Sequence, residues 1–331
     1  MMQSSQTTLQ TEGAQRMTRH FLRDDDLTPA EQHEVLHLAA SLKQAPYDSN
    51  SLAGPRTVAT IYDKPTLRTQ ASFAAGIAEL GGNPMMVDGS LAGIGKRESV
   101  ADVARVLGRQ ASVIVWRTYA QTALDEMAEH AGVPVINALT DEFHPCQLLA
   151  DLLTIRERKG ELAGLTVAFV GDGACNMGNS WLLAGATAGL HVRIAAPEGH
   201  QPDEQYVARA REIGAQTGGT ADVMTDPRSA VSGADVVVTD TWVSMGKEEE
   251  AADRLAAFGA YTVTADLLGL ASPEAIVMHC LPAYRGKEID SDVLDGPQSV
   301  VWDEAENRRH AQKAIITWLM RASTDLEEVP L

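Results

Sequence analysis

Cysteine is scarce in this sequence. Its three residues, Cys146, Cys175 and Cys280, form no C-x-x-C pair, which argues against a zinc cage or a redox dithiol. An odd number also argues against a disulfide framework. Aromatic residues are only 5% of the chain. Ala, Gly, Val and Leu dominate instead and suit an α/β protein with small-residue helix packing. Positive charge is in deficit: 27 Lys and Arg stand against 45 Asp and Glu, a formal net charge of -18. Non-specific nucleic-acid binding needs a basic face, so this balance argues against it. It leaves room for an anion held by a local arginine cluster. No apolar run approaches roughly 18 residues, so no membrane span or membrane partner is expected. The Gln/Ser/Thr-rich start, 1–15, lacks an apolar h-region and reads as a disordered tail rather than a signal peptide. The expectation is a soluble cytoplasmic protein.

What is present reads as a folded chain of about two domains, since it has 331 residues. Charged residues are 22%, so this is not a disordered composition. Thr28-Pro29-Ala30-Glu31 is a helix start with capping-box spacing and Pro at the first helical position. Beyond it, strand and helix patterns alternate. Strands are expected at Thr57 to Tyr62, Met85 to Val87, Val113 to Arg117 and Val133 to Leu139. A second set is expected at Leu165 to Val170, Val192 to Ala196, Ala221 to Met224, Asp235 to Asp240 and Ala275 to Cys280. Such alternation predicts parallel sheets with helical crossovers. The fold class expected is α/β: two parallel-sheet domains meeting near residue 150, joined by long helices. The last helix, Asn307 to Arg321, is expected to pack back onto the first unit.

The stretch His279-Cys280-Leu281-Pro282-Ala283-Tyr284-Arg285-Gly286 follows one of these strands. In open α/β sheets, ligands bind outside the carboxyl ends of strands. Cys280 is therefore either a small core residue or part of a site. Thr66-Leu67-Arg68-Thr69 lies between a strand and a helix, where backbone N–H groups, hydroxyls and an Arg favour an anion; an ordinary capped turn is the other reading. Arg117 ends a buried strand, which calls for a ligand or an ion pair. His144-Pro145-Cys146-Gln147 opens a helix, either aimed at a ligand or as a plain cap. Gly171-Asp172-Gly173-Ala174-Cys175-Asn176-Met177-Gly178 resembles part of a dinucleotide fingerprint. No acid ends the following strand to hold a ribose, because Glu198 comes after Pro197. Asp240 could hold an ammonium, and the Ser244-Met245-Gly246 turn could offer N–H donors to a carboxylate. Asn307-Arg308-Arg309-His310 places basic groups at a helix start, against the helix dipole.

The combination of Arg68-Thr69, Trp116-Arg117-Thr118, His144-Pro145-Cys146-Gln147, Asp240-Thr241-Trp242-Val243-Ser244-Met245-Gly246, His279-Cys280-Leu281-Pro282 and Glu304-Ala305-Glu306-Asn307-Arg308 resembles the ornithine carbamoyltransferase family. The likeness runs from about Leu27 to Leu319. It implies a carbamoyl-phosphate domain at 16–149, to which the helix 307–322 returns, and an ornithine domain at 150–306. It also implies a homotrimer with active sites shared between subunits, and chemistry without metal or cofactor. By that resemblance Thr66, Leu67, Arg68, Thr69, Arg117 and Arg308 hold the phosphate. Thr69, Arg117 and His144 polarise the carbamoyl oxygen, and Gln147 and the Leu281 carbonyl hold the carbamoyl amino group. Asp240 takes the ornithine α-ammonium, with Asn176, Ser244 and Met245 at the carboxylate. Cys280 lies beside the δ-amine, where neighbouring cations would favour a thiolate.

Three positions depart from the family pattern. Leu67 and Gln70 stand in the usual Ser-Thr-Arg-Thr-Arg stretch, and Gly93 stands where the family usually has a Gln reaching into the neighbouring subunit's site. Lys96 or Arg97 could compensate. These departures keep open a paralogue with another amine acceptor or altered inhibitor sensitivity, and a catalytically weak binding or regulatory homologue. A nicotinamide-dependent oxidoreductase is a further reading, opposed by the missing ribose acid.

Overall fold

The computed structural model describes residues 18–243 and 248–324. The expected tail at 1–15 lies outside them. Among the described residues, nine strands form two parallel sheets. The first has β1 (Thr57–Tyr62), β2 (Asn83–Asp88), β3 (Val113–Arg117) and β4 (Val135–Leu139) in the order β2-β1-β3-β4. The second has β5 (Thr166–Val170), β6 (His191–Ala195), β7 (Thr220–Met224), β8 (Val236–Thr239) and β9 (Ile276–His279) in the order β7-β6-β5-β8-β9. Central strands such as β3 (VIVWR) and β8 (VVVT) are buried at every residue, as strands covered on both faces must be. Strand order reverses direction between β1 and β3 and again between β5 and β8. Open α/β sheets bind ligands at such points, and both crevices hold residues singled out above.

Three helices knit the units together. Pro145–Lys159 is buried continuously from Pro145 to Ile155, and Asn176–Thr187 from Met177 onward. A helix apolar around most of its circumference belongs inside a protein. The last helix, Val301–Thr324, packs on Pro145–Lys159, on Pro29–Gln44, on Arg68–Glu79 and on β9. One core cluster accordingly runs from Val58 and Val115 of the first sheet through Leu152 and Ile315 to Val167 and Phe169 of the second. The last helix starts six residues earlier than its sequence pattern indicated. Its first turn therefore carries Asp303 and Glu304, which suit the dipole. The basic run at Asn307 to His310 lies past that turn, so the conflict read from the sequence does not arise.

The Gly-rich turn after β5 is explained by packing. A Cβ on Gly178 would lie 2.2 Å from the Gly173 carbonyl oxygen, so the Asn176–Thr187 helix sits directly on the turn. Among the described residues, no helix is long and apolar enough to cross a membrane.

Lys313 shows how tightly the last helix is tied down. Its side chain is fully buried, and its Nζ donates to the carbonyls of Leu42 and Pro46, both at 3.1 Å, and to Glu79 Oε2 at 2.5 Å. Replacing one member of a buried pair strands its partners, at a cost of about 3–5 kcal/mol. Lys313→Ala should lower the urea midpoint correspondingly; an unchanged midpoint would show that the anchor is dispensable.

Candidate active site

The carboxyl ends of both sheets face one cleft. On the first-sheet side, Thr69 lies in the opening turn of the Arg68–Glu79 helix and is fully buried. Its Oγ1 accepts from Arg117 Nη1 at 3.3 Å and from Arg308 Nη2 at 2.9 Å. Both guanidiniums are buried, and each keeps an Nε with no partner. Among the described residues, neither has an ion pair to a carboxylate. Burial, then the other arginine, pulls Arg117 down to about 10, still a cation at neutral pH. Arg68 is half-buried beside them, and Thr66 is half-buried at the same turn. Leu67 caps the helix without a side-chain hydrogen bond and is 79% exposed. Two buried like charges at a helix start, with spare donors, form an anion site.

His144 begins the Pro145–Lys159 helix. It is not a side-chain cap: its imidazole is buried and Nδ1 has no partner. Burial and the charges of Arg308, Arg117, Lys64 and Arg68 push its pKa well below the usual 6.5, so the ring is neutral near pH 7. Gln147 is fully buried one turn on. Its Nε2 donates to Asp151 Oδ1 at 2.8 Å and Glu304 Oε1 at 3.1 Å, and its Oε1 has no partner.

The second-sheet side is acidic. Asp240, at the end of β8, accepts from the Thr241 N–H at 2.7 Å and from Cys280 Sγ at 3.2 Å. Burial raises its pKa. The thiolate expected at Cys280 is not what the surroundings favour. Burial, then the adjacent carboxylate of Asp240 to which the thiol donates, hold it well above its ordinary pKa. Leu281 adopts a left-handed φ of 57°, a conformation costly for a non-Gly residue. Its N–H is held by His279 Nδ1 at 2.9 Å, while His279 Nε2 faces Glu288 Oε1 at 3.2 Å. Asp240, His279 and Cys280 have a metal-ligating composition, with donor atoms within 4.8 Å. Both His279 nitrogens are already engaged, so this arrangement offers no free imidazole lone pair to a metal.

Asn176 does not project freely into the cleft, because its Nδ2 donates to the Thr140 carbonyl at 2.8 Å. Ser244 and Met245 lie outside the described residues. Sequence reasoning missed Lys64, which is buried, pairs with Asp141 at 2.5 Å and sits over the Tyr119 ring. A Lys directly at the end of a buried strand was the available signal. It also gave no role to Asp151, Glu288 or Glu304.

The state of Cys280 is open to measurement. Iodoacetamide labelling of Cys280, followed by peptide mass spectrometry, should keep rising beyond about pH 9, as for a thiol held protonated. Asp240→Asn should accelerate it. A plateau below neutral pH would mean that a thiolate is present.

Family models match in two adjoining blocks. Residues 19–157 match the carbamoyl-P binding domain of aspartate/ornithine carbamoyltransferase, and residues 163–319 match its Asp/Orn binding domain. The chain is 63% identical to the ornithine carbamoyltransferase of Clavibacter michiganensis over 307 residues, 93% of this chain and 100% of that one. It is similar to the crystal structure of ornithine carbamoyltransferase from Gloeobacter violaceus (45% identity, TM-score 0.83, 92% of this chain and 99% of that one). It is also similar to the ornithine carbamoyltransferase from Pyrococcus furiosus (42% identity, TM-score 0.88, 92% and 98%). With both domains matched in order and identity this high across nearly the whole length, the chain belongs to the aspartate/ornithine carbamoyltransferase family.

Proposed function

We propose that the protein transfers the carbamoyl group of carbamoyl phosphate to the δ-amine of L-ornithine, giving L-citrulline and phosphate. The observation that carries this reading is the polarity of the cleft. Unmatched buried cations, Arg117 and Arg308, stand on one side, and a buried carboxylate, Asp240, stands on the other. An anionic donor and a cationic acceptor fit those two halves in that order.

In this reading the phosphate rests on the helix start at Thr66, Leu67, Arg68 and Thr69, with Arg117 and Arg308. Thr69, Arg117 and neutral His144 direct donors at the carbamoyl oxygen, where negative charge grows during attack. Gln147 and the Leu281 carbonyl accept from the carbamoyl amino group. Asp240 binds the α-ammonium, and Asn176 is assigned to the carboxylate, as are Ser244 and Met245, which are outside the described residues. Asn176 must first release the Thr140 carbonyl. Cys280 borders the δ-amine as a thiol. The neutral δ-amine attacks the carbamoyl carbon, a C–N bond forms, the C–O bond to phosphate breaks with its electron pair leaving on phosphate, and the proton shed by the nitrogen goes to the departing phosphate. The protein contributes positioning and charge, and the scheme uses no metal or cofactor. Asp240 favours ornithine itself over an acylated form, which has no α-ammonium to pair.

The passage between the proposed carbamoyl-phosphate and ornithine domains falls within the Pro145–Lys159 helix. We also infer a homotrimer. The resemblance implies it, and Leu67, Leu91 and Met86, exposed after β1 and in and after β2, would gain from being covered by a neighbouring subunit. Free thiols at Cys146, Cys175 and Cys280 suit a reducing cytoplasm.

Citrulline formation by the purified protein tests the reading directly, and an acceptor panel with acylated ornithines tests the choice of acceptor. Arg68→Ala should cost about 2–4 kcal/mol in the transition state, whereas activity within threefold of wild type would remove Arg68 from the site. Asp240→Asn should raise the ornithine KM far more than the carbamoyl-phosphate KM. If Lys96 or Arg97 reaches a neighbouring site, Arg97→Ala or Lys96→Ala should raise the carbamoyl-phosphate KM. Mixed trimers with Arg68→Ala on other subunits should then regain some intact sites. Wild-type affinity in both loop variants would refute the compensation.

A further inference from the structure

Asp151 and Glu304 are each 1% exposed and come from different helices, Pro145–Lys159 and Val301–Thr324. Both accept from the same Gln147 Nε2, Asp151 Oδ1 at 2.8 Å and Glu304 Oε1 at 3.1 Å, which brings the two carboxyls together; burial raises the pKa of both, Glu304 well above its ordinary value. Two buried carboxyls in contact do not both stay ionised. One proton between them removes a charge and makes the bond that joins them. The other charged or titratable groups around them are Arg308 on the last helix, Asp240 at the end of β8, and His279 and Cys280 at the end of β9.

The pair receives two donors that matter to the cleft. Gln147 Nε2 spends both its N–H bonds on Asp151 and Glu304. Because an amide is planar, its Oε1 then points away from the acids, and that oxygen is buried without a partner. A buried acceptor left empty is unfavourable until something donates to it. Glu304 Oε2 also accepts the His279 N–H at 2.9 Å, and His279 in turn holds the Leu281 N–H. One acid thus orients both Gln147 on its helix and the turn that bears the Leu281 carbonyl. An amino group with two hydrogens needs two acceptors, and these two come from separate elements tied to the same carboxyl.

We propose that Asp151 and Glu304, holding one proton between them, are positioning residues that lock Gln147 with its carbonyl Oε1 presented to the amino group of the carbamoyl donor. The proposal rests on the carbamoyl-phosphate reading of the site. It makes the pair a selector for N–H on the donor, since a ligand with a methyl group there leaves Oε1 empty.

The test compares carbamoyl phosphate with acetyl phosphate, which carries that methyl, by calorimetric binding to the full-length protein. Wild type should prefer carbamoyl phosphate. Asp151→Asn and Glu304→Gln each replace one carboxyl oxygen with an N–H donor, leaving the pair too few acceptors for all its donors, and should cut the preference about tenfold, the worth of one hydrogen bond. Acetyl phosphate affinity should stay within about threefold of wild type. Gln147→Met should cut the preference similarly, and adding Asp151→Asn to it should cut it no further. The wild-type infrared spectrum should contain a protonated-carboxyl stretch that Glu304→Gln removes. Equal weakening of both ligands, or an unchanged preference, would reduce the pair to a structural cross-link between helices and overturn the proposal. Absence of the infrared band would overturn the shared proton, even if a variant fails to fold. If wild type binds no carbamoyl phosphate, the reading of the site falls, and the band still reports on the pair.

Discussion

The site depends on an electrostatic imbalance that the fold holds in place. Arg117 and Arg308 converge on the single hydroxyl of Thr69, are buried, and make no ion pair to a carboxylate among the described residues. Such a cluster is unfavourable unless the structure over-determines it, because burying an unpaired charge is costly. Three rigid elements do so. Arg117 ends β3, whose residues are all buried; Arg308 projects from the long last helix; and Thr69 lies in the helix following β1. The charge imbalance is thus built into secondary structure rather than entrusted to loops, and an arriving anion relieves it. With the chain at a net charge of -18, this local cationic site also stands out as the place where an anion is favoured.

The opposite wall inverts the sign. Asp240, Glu288, Asp151 and Glu304 line or support the second-sheet side, and burial together with Asp240, Glu304 and Asp151 favours Cys280 as a thiol. The same acids fix backbone: Glu288 accepts the Tyr284 N–H at 2.5 Å and Glu304 the His279 N–H. The Leu281 turn, with its left-handed φ, is therefore braced from both ends. Strain of this kind persists only where neighbours over-determine it. Here it shapes the turn whose Leu281 carbonyl the proposed reading assigns to the carbamoyl amino group.

Much of this was legible in the sequence because it is periodic or local. Buried strands announce themselves as runs of β-branched residues, and the capping box at Thr28 and Glu31 formed as read, with the Glu31 N–H donating to Thr28 Oγ1 at 3.3 Å. Arg117 was visible because an Arg at the end of an apolar strand is anomalous. What stayed hidden depends on distant pairing. Asp151 and Glu304 are 153 positions apart in sequence, and each alone looks like an ordinary helical acid. The state of Cys280 was hidden for a related reason: sequence places cations and acids in the same site, but does not show that the thiol is buried and donates to Asp240. The start of the last helix was misjudged because its first two turns have mixed polarity, facing β9 on one side and the cleft on the other.

The departures at Leu67 and Gly93 look different in three dimensions from how they look as lost donors. A Ser or Thr at the cap of the Arg68–Glu79 helix could fold its hydroxyl back onto an N–H of the first turn. Leu67 cannot, and its side chain points to solvent. The helix-start N–H groups are thereby left for an anion, so part of what the missing hydroxyl removes is returned by backbone. Gly93 has φ 68°, and a Cβ there would meet Arg97 Cβ at 3.1 Å. A larger residue would carry both the left-handed penalty and a crowding cost. The loop backbone in this chain is therefore shaped to Gly93, with Lys96 and Arg97 exposed one turn beyond it. A Gln restored at that position would recover a donor only by taking a left-handed φ and pushing Arg97 aside by a few tenths of an ångström. The substitution is thus coupled to the loop conformation rather than a single lost side chain, and charge on Lys96 and Arg97 is the polar reach that this conformation leaves available.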